Sequence, residues 1–306
     1  MAGGARLSVV VASFRTRPVL DACLASLLPQ CPYDVEVLLA RAADAGDLAA
    51  IAQAYPRVRV VPAPANADVP RLRGAGLQAA TGALTLLIED HCVADPEWVA
   101  SFRPYLDTNV DVIGGGMDNA QTRRAIDWGA YFAEYGFFSA LIEQAASAPG
   151  GALLLTGANV AYARRVMPDV VVWMRAGLWE NVVHERLRAA GATLRFEPRA
   201  RVGQNLRYGL IDFLADRYRH GFDYARVRLT ETAGMNRLVR ALITPLLAPL
   251  LTWRVGRTAV GSPSRAWAFV RALPFTMAFL GAWTVGEAVG YARGPVDARD
   301  LTGVVR

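Results

Sequence analysis

The stretch LTLLIEDHCVADPEW, residues 84–98, decides the fold predicted for this chain. Its apolar run Leu84–Ile88 has the length and the bounds of a buried strand. The run ends in three consecutive polar residues, Glu89, Asp90 and His91. Asp95-Pro96 then predicts a helix start, with Asp as N-cap and Pro at the first helical position. A buried strand that ends in carboxylates and an imidazole is typical of the ligand-binding edge of an open α/β sheet.

The three polar residues at the strand end have the chemistry of a cation site. Carboxylate oxygens suit hard cations such as Mg²⁺ and Mn²⁺, and imidazole suits transition metals. The alternative is a polar strand end that only caps the following helix. The neighbouring segments have to decide between the two interpretations.

On both sides of this stretch, apolar runs alternate with helical patterns. The predicted strands are Leu7–Phe14, Asp34–Ala40, Val58–Val61, Val110–Gly114, Ala152–Thr156 and Thr193–Glu197. The predicted helices are Val19–Leu28, Asp47–Tyr55, Arg71–Ala80, Leu178–Ala190 and the long basic helix Tyr208–Arg228. Strands that alternate with helices predict a parallel sheet in an α/β layer architecture.

Composition limits the class of protein. The 306 residues are 53% hydrophobic and 20% charged, enough for one large domain or two smaller ones. A net charge of +6 fits phosphorylated ligands or an anionic membrane surface, and no nucleic-acid partner is expected. The three cysteines lack metal-site spacing and indicate a reducing compartment. The first apolar run is too short for a signal peptide, so the catalytic part is expected in the cytoplasm.

The C-terminal region carries two apolar segments, Ala241–Trp253 and Ala272–Gly286. Both are shorter than the roughly 20 residues of a straight spanning helix. The link between them carries Arg254, Arg257 and Arg265, and two single spans would place this basic loop outside, against the positive-inside tendency. We therefore expect a hairpin or interfacial helices in the cytoplasmic leaflet. Two spanning helices, and a buried homo-oligomer interface, are the alternatives.

Five segments occur in the order and spacing of a known family. They are LSVVVASFRTRP (7–18), RLRGAGLQAATG (71–82), LIEDHCVADPEW (87–98), TGANVAY (156–162) and LWENVVHERLRAAG (178–191). Over roughly residues 6–230 the chain resembles the family 2 glycosyltransferases. The resemblance implies a GT-A-type α/β domain, residues 1–230, whose mostly parallel sheet is flanked by helices and has a Rossmann-like nucleotide-binding half. Residues 231–306 would then form a C-terminal, membrane-associating helical region.

The resemblance also implies the reaction and its central residues. An acceptor hydroxyl would attack the anomeric carbon of a nucleotide-diphospho-sugar, with inversion. A divalent cation, Mg²⁺ or Mn²⁺, would be held by Glu89, Asp90 and His91, and it would stabilise the leaving diphosphate. His91 stands where the family usually has an acidic residue. Glu180 would be the general base, and Trp179 replaces the acidic residue that usually precedes it.

Further residues are assigned to the donor and the acceptor by the same resemblance. Ala12, Ser13 and Phe14 would line the base and the ribose. Arg71 and Arg73 would reach phosphate, to which guanidinium groups bind bidentately. Glu89 and Asp90 would also contact the donor, and Gly157, Asn159 and Trp179 would contact substrate. Arg217 on the long helix would close over the diphosphate; the alternatives are that this basic helix is solvated or rests on lipid head groups. The family's acidic pair after the second strand is absent, because this chain has Leu39-Ala40-Arg41-Ala42, so the donor base stays open.

The membrane-facing end favours a lipid-linked or membrane-proximal acceptor at the cytoplasmic face of the inner membrane, in the synthesis of a cell-envelope polysaccharide or glycolipid. Two other classes stay open. The departures at His91 and Trp179 fit a catalytically inactive, membrane-bound nucleotide-binding scaffold. A sugar-nucleotide nucleotidylyltransferase shares the fold type, although no glycine-rich loop follows the first strand. A Rossmann dehydrogenase is not expected, since that strand lacks G-x-G-x-x-G.

Overall fold

The computed structural model describes residues 6–145, 154–231 and 236–295. Its strands are β1 (Leu7–Ser13), β2 (Val35–Arg41), β3 (Val58–Pro62), β4 (Leu84–Glu89), β5 (Cys92–Ala94), β6 (Val112–Asn119), β7 (Asn159–Ala163) and β8 (Leu194–Gln204). Its helices are α1 (Arg17–Leu27), α2 (Ala45–Ala54), α3 (Val69–Ala79), α4 (Trp98–Phe102), α5 (Ala125–Ala145), α6 (Met167–Arg175), α7 (Glu180–Ala189), α8 (Leu210–Glu231), α9 (Arg237–Ile243), α10 (Leu247–Ala259) and α11 (Pro263–Arg293).

The described strands form one mixed sheet in the order β3-β2-β1-β4-β7-β6-β8-β5. The first four of these neighbours are parallel, whereas β7 is antiparallel to both β4 and β6, and β5 is antiparallel to β8. Strands β1 and β4 are buried along their whole length, as expected for central parallel strands covered on both faces. The predicted α/β sheet with its parallel, Rossmann-like half is confirmed.

The register of the parallel strands brings chemically useful residues to one edge. Ser13 at the end of β1 pairs with Arg41 at the end of β2. On the other side of β1, Ala12 pairs with Glu89 at the end of β4. The carboxyl ends of these three strands therefore deliver the candidate site residues side by side, as the position of the polar triplet predicts.

The predicted helix start at Asp95-Pro96 is wrong. After the polar triplet, β5 continues the sheet edge by pairing with β8, and the Asp95 N–H donates to the Arg201 carbonyl over 3.0 Å. A turn follows, in which the Trp98 N–H donates to the Asp95 carbonyl, and α4 begins at Trp98. Pairing with a distant strand thus delays the first helical residue by two positions, from the predicted Pro96 to Trp98.

The strand predicted at Ala152–Thr156 is also misplaced. Residues 151–153 lie outside the described residues, and Leu154–Thr156 have no regular secondary structure. The strand is β7, Asn159–Ala163, which pairs with both β4 and β6. An apolar run alone does not tell which of two neighbouring segments the sheet will take, because pairing partners decide it.

The chain divides into two compact units. The first comprises Met1–Asp118 and Leu141–Asn205 and contains the sheet. The second comprises Asn119–Ala140 and Leu206–Arg306, and in it α8 packs along α11. A Cβ atom at Gly221 would overlap the carbonyl oxygen of Trp283, and one at Gly286 would overlap that of Tyr218, so glycines let the two backbones touch. The predicted domain boundary between residues 230 and 231 stays a prediction.

The second unit also contains the two apolar segments noted in the sequence. They lie within helical stretches Arg237–Ala259 and Pro263–Arg293, of 23 and 31 residues. By length and composition alone, both stretches are long and apolar enough to cross a membrane. The apolar segments are thus extended by helical flanks that the hydropathy pattern does not include.

Candidate active site

Asp90 joins the polar triplet to the loop that follows β1. Its Oδ2 accepts hydrogen bonds from the Ser13 hydroxyl at 2.9 Å and from the N–H groups of Phe14 and Arg15, each at 2.8 Å. Its own N–H donates to the Ala12 carbonyl over 3.1 Å. The three residues predicted to line the nucleotide, Ala12, Ser13 and Phe14, are therefore held directly by the triplet.

The second carboxylate oxygen of Asp90 is in a different position. Oδ1 is buried and has no hydrogen-bond partner among the described residues. Burial raises the pKa of Asp90, and the hydrogen bonds from Arg15 and Ser13 offset only part of that rise. A buried carboxylate oxygen without a donor is costly unless a ligand supplies positive charge or a proton.

Arg41 supports the same loop from the neighbouring strand. Its Nη1 donates to the Ser13 hydroxyl at 2.8 Å and to the Arg15 carbonyl at 2.9 Å, and its Nε donates to Asp47 at 2.7 Å. Sequence reasoning noted Arg41 only as the residue that replaces an acidic pair. The structure shows a cation bracing the loop, and the β1–β2 register is the signal from which this contact follows.

Arg73 on α3 connects two acidic residues that are far apart in the sequence. Its Nε donates to Glu89 Oε1 at 2.9 Å, and its Nη1 donates to Glu180 Oε2 at 2.7 Å. The side chains of Arg73 and Glu89 are both 4% exposed. The guanidinium also lies over the Trp179 ring, 5.7 Å from its centroid. The predicted contact of Arg73 with phosphate stays a prediction, and the structure shows this cation between two carboxylates.

Glu180 is the first residue of α7, with Trp179 as its N-cap. Burial on its own would raise the pKa of Glu180, but the charge of Arg73 and its hydrogen bond outweigh burial and hold the pKa below the usual range. The helix N-terminus also favours a negative charge at this position. Glu180 is therefore ionised at neutral pH, which is the state that a general base requires.

His184, one helical turn beyond Glu180 on α7, forms a buried pair with Tyr162 of β7. The distance between His184 Nε2 and the Tyr162 hydroxyl is 2.8 Å. Burial lowers the pKa of His184 to about 4, so its imidazole is neutral at pH 7. Sequence reasoning missed both residues, although the spacing of four between Glu180 and His184 places them on one helix face.

Gly157 and Asn159 of the TGAN segment contact different neighbours. A Cβ atom at Gly157 would overlap Arg73 Nη1, so only glycine leaves room for the guanidinium. The Asn159 amide donates to the carbonyls of Gly116 and Ala200, each at 2.9 Å, and accepts from the Trp98 indole at 2.8 Å. The amide oxygen and nitrogen of Asn159 are thus both hydrogen-bonded within the protein. Substrate contacts of Gly157, Asn159 and Trp179 stay predictions.

His91 lies beside Glu89 at the end of β4. Its Nδ1 is 3.3 Å from Glu89 Oε2, its ring meets the Phe14 ring edge-on, and its carbonyl accepts from the Asn205 N–H at 2.7 Å. Within the described ranges, no three His, Cys, Asp or Glu side chains form a group that could hold a metal ion. The side chains of Glu89, Asp90 and His91 are therefore not arranged as the predicted set of three ligands, and Glu89 is already bound by Arg73. Asp90 Oδ1, which has no hydrogen-bond partner among the described residues, is the oxygen that a cation with further ligands from a diphosphate would use.

The other two predicted phosphate-binding arginines contact other side chains. Arg71 pairs with Asp68, whose carboxylate also caps α3 by accepting from the Arg71 N–H. Arg217 belongs to the second unit, where it is buried between the rings of Phe213 and Trp283, with ring centroids 5.5 and 5.0 Å away. The phosphate contacts proposed for Arg71 and Arg217 stay predictions.

Comparison with known proteins supports the same family. The model described as Glycosyl transferase family 2 matches residues 8–170. No curated protein matches the chain. Among solved structures, mannosyltransferase PcManGT from Pyrobaculum calidifontis in complex with GDP-Man and Mn²⁺ is 14% identical, with a TM-score of 0.56 over 92% of this chain and 86% of that one.

GalNAc-T7 with UDP, GalNAc and Mn²⁺ is also 14% identical, with a TM-score of 0.50 over 66% of this chain and 43% of that one. At such identities, these structures show the fold alone. The family match, in contrast, covers more than half of the 306 residues. The chain therefore belongs to glycosyl transferase family 2, and it is a glycosyltransferase with the GT-A fold.

Proposed function

We propose that this enzyme transfers a sugar from a nucleotide-diphospho-sugar to an acceptor hydroxyl, with inversion at the anomeric carbon. The observation that carries the proposal is the bridge from Glu89 through Arg73 to Glu180. It links a candidate base to the strand end at which open α/β sheets bind nucleotides. Both similar structures hold a nucleotide or nucleotide sugar, which supports this class of donor.

Glu180 performs the proton transfer in this proposal. The acceptor oxygen attacks the anomeric carbon while Glu180 takes the hydroxyl proton, and the bond from the anomeric carbon to the diphosphate oxygen breaks. The electron pair of that bond stays on the diphosphate. A single displacement of this kind inverts the configuration. Because Arg73 keeps Glu180 ionised, the carboxylate accepts the proton without a preceding deprotonation step.

The leaving diphosphate needs compensation for its negative charge. A divalent cation, Mg²⁺ or Mn²⁺, would be held by Asp90 Oδ1 and His91 together with oxygens of the diphosphate, and it would stabilise the charge that develops on the diphosphate. Both similar structures contain Mn²⁺, which supports a cation of this class. The loop braced by Asp90 and Arg41 presents the backbone of residues 13–15 to the nucleotide.

The second unit indicates where the acceptor is met. Helices α9–α11 and the short links between them expose many large apolar side chains, among them Leu238, Leu242, Leu246, Leu250, Trp253, Val260, Trp267, Val270 and Met277. An exposed apolar surface of this extent marks a membrane or protein contact. We infer that these helices lie in the cytoplasmic leaflet of the cell membrane and that the acceptor is lipid-linked or membrane-proximal.

Thermal shifts test the donor class. Detergent-purified protein is mixed with UDP, GDP, TDP or CDP, each with Mn²⁺, Mg²⁺ or EDTA. We expect one nucleotide to raise the unfolding temperature in a metal-dependent way, and the His91→Ala variant to lose the metal-dependent part. The matching nucleotide sugar should then release its nucleoside diphosphate when membranes supply the acceptor. If no nucleotide raises the unfolding temperature under any condition, the proposed donor binding is wrong and an inactive scaffold becomes the better interpretation.

A further inference from the structure

The second unit contains a groove that the proposed reaction does not use. It lies between α10 and α11 and has a volume of about 520 Å³, within the range of small-molecule sites. Its walls are almost entirely apolar and include Pro249, Ala259, Ala266, Phe269, Leu273 and Met277. A groove with this lining offers few hydrogen-bonding groups, so its occupant has to be a hydrocarbon rather than a sugar or a nucleotide.

The rim of the groove combines an aromatic ring with a cation. Trp253 and Arg257 both line the groove and both are exposed. The guanidinium carbon of Arg257 lies 4.9 Å from the centroid of the Trp253 ring, a cation–π distance. Tryptophan is enriched at membrane–water interfaces, and a guanidinium binds phosphate bidentately. The rim therefore has the chemistry of a site for a phosphate head group.

The positive charge of the surrounding helices favours an occupant with negative charge. Residues 236–295 contain seven arginines, whereas Glu287 is the one acidic residue in this range. Glu287 is buried and accepts a hydrogen bond from the Tyr291 hydroxyl at 2.9 Å, so it does not offset the positive surface. A partner that matches this surface carries negative charge beside an apolar chain. An anionic phospholipid meets both requirements.

We propose that the groove between α10 and α11 binds an acyl chain of an anionic phospholipid, with Arg257 on the lipid phosphate. The inference rests on the membrane association proposed above and adds a defined lipid site to it. The apolar outer faces of the same helices continue the groove lining, with Val270 and Met277 belonging to both. A lipid therefore covers a surface that is continuous with the bilayer contact.

Brominated lipids locate the chain. Full-length protein is mixed with vesicles of phosphatidylcholine alone or with phosphatidylglycerol, brominated on the acyl chains of one lipid at a time. Bromine quenches nearby tryptophans, and Trp253 lines the groove. We expect stronger quenching by brominated phosphatidylglycerol than by brominated phosphatidylcholine, and loss of this difference in Trp253→Phe. Lipid extraction of the purified protein should recover phosphatidylglycerol in preference to phosphatidylcholine.

Matched variants separate the groove from general electrostatics. Ala266→Phe fills the groove, and Val285→Phe adds the same ring to an exposed position of α11 outside it. Arg257→Gln removes the rim cation, and Arg254→Gln removes an exposed one that does not line the groove. We expect Arg257→Gln to reduce the recovered phosphatidylglycerol about fivefold, the loss expected for one basic contact at an anionic surface. Ala266→Phe should also reduce it, because the ring occupies the place of the acyl chain. The two controls should retain the lipid.

The outcomes separate the two proposals. If the protein binds no vesicle of either composition, both the membrane association and the lipid site are wrong. If it binds vesicles but shows no lipid preference, or if Ala266→Phe and Val285→Phe behave alike, only the lipid site is wrong. A dimer in solution that Ala266→Phe dissociates would assign the groove to a second copy instead. Should Ala266→Phe unfold at a lower temperature, Val270→Gln tests the groove from an exposed lining position.

Discussion

Arg73 donates a hydrogen bond to Glu180 over 2.7 Å, although the two residues are 107 positions apart in the chain. The same guanidinium holds Glu89 at the end of β4. One buried cation thus fixes the candidate base relative to the polar triplet.

Replacing Arg73 by Met should destabilise the protein and change its pH dependence. Removal of one partner from a buried ion pair leaves uncompensated charge, which costs about 3 kcal/mol of unfolding free energy. Without Arg73, burial would raise the pKa of Glu180, so activity should be lost at a higher pH on acidification. Urea unfolding and a pH–rate profile measure the two effects.

The control for Arg73→Met is Arg71→Met, because Arg71 lies on the same helix and pairs with Asp68 instead. The unfolding free energy of Arg71→Met should change by less than about 1 kcal/mol, because Asp68 is exposed and an ion pair with one exposed partner contributes little. Lysine at position 73 keeps the charge but cannot bind both carboxylates with a planar fork. An unshifted acidic limb in Arg73→Met would contradict the assigned role of Arg73.

Glu180→Gln should abolish most of the turnover while donor binding remains. The amide keeps the size of the side chain and its contact with Arg73 but cannot accept the hydroxyl proton. We expect kcat to fall by about 10²–10⁴-fold, the usual worth of a positioned base, with little change in the affinity for nucleotide. Glu185→Gln, at an exposed position of the same helix, is the control. Equal losses in both variants would remove Glu180 from the mechanism.

His184 should make the stability fall on acidification. Its pKa is about 4 in the folded protein and about 6.5 when unfolded, so the unfolded chain binds more protons between these values. Stability from this residue is complete above pH 6.5 and is lost as the pH falls towards 4, by on the order of 3 kcal/mol. Urea unfolding at several pH values should show a flatter dependence for His184→Gln than for the natural chain.

Gly157→Ala should disturb Arg73 without adding any polar group. The new methyl group would occupy the place of Arg73 Nη1, so the bond to Glu180 has to lengthen or break. We expect at least a tenfold loss of kcat, because misplaced catalytic groups lose rate steeply. Gly281→Ala is the control, since a Cβ atom there meets nothing within 4 Å beyond its own stretch of helix, among the described residues. Unchanged activity in Gly157→Ala would show that this contact does not position the base.

His91→Asp should change which cation the enzyme prefers. Imidazole suits transition metals, and a carboxylate suits Mg²⁺. In thermal shifts with the preferred nucleotide, the natural chain should respond more to Mn²⁺ than to Mg²⁺, and the variant should narrow this difference. A variant whose cation preference equals that of the natural chain would place His91 outside the cation site.

Much of the sheet could be predicted from the sequence because its signal is local. Strands β1 and β4 are uninterrupted apolar runs, and their buried pattern does not depend on which strand pairs with them. Strand β5 is only three residues long and exists because β8 lies beside it. So short a segment shows no periodicity in the sequence. For this reason the strand was not predicted, and the helix was predicted to start too early, at Asp95.

The site was predictable as a set of residues but not as a set of contacts. The motif order singled out Arg73, Glu89 and Glu180, yet nothing in their spacing indicates that one guanidinium binds both carboxylates. Asn159 shows the same limit, because its amide serves two carbonyls and an indole contributed by distant segments. Such contacts depend on the packing of the whole unit.

The contact between α8 and α11 has a practical consequence for producing this protein. Gly221 and Gly286 place the two helix backbones against each other, so removal of α11 would uncover the face of α8 on which it packs. A fragment that ends at residue 230 would retain α8 but lack the helix that covers it. Truncation after residue 230 is therefore not expected to give a well-behaved soluble enzyme. A shortened chain that behaves well in solution will need polar side chains designed onto the uncovered face of α8.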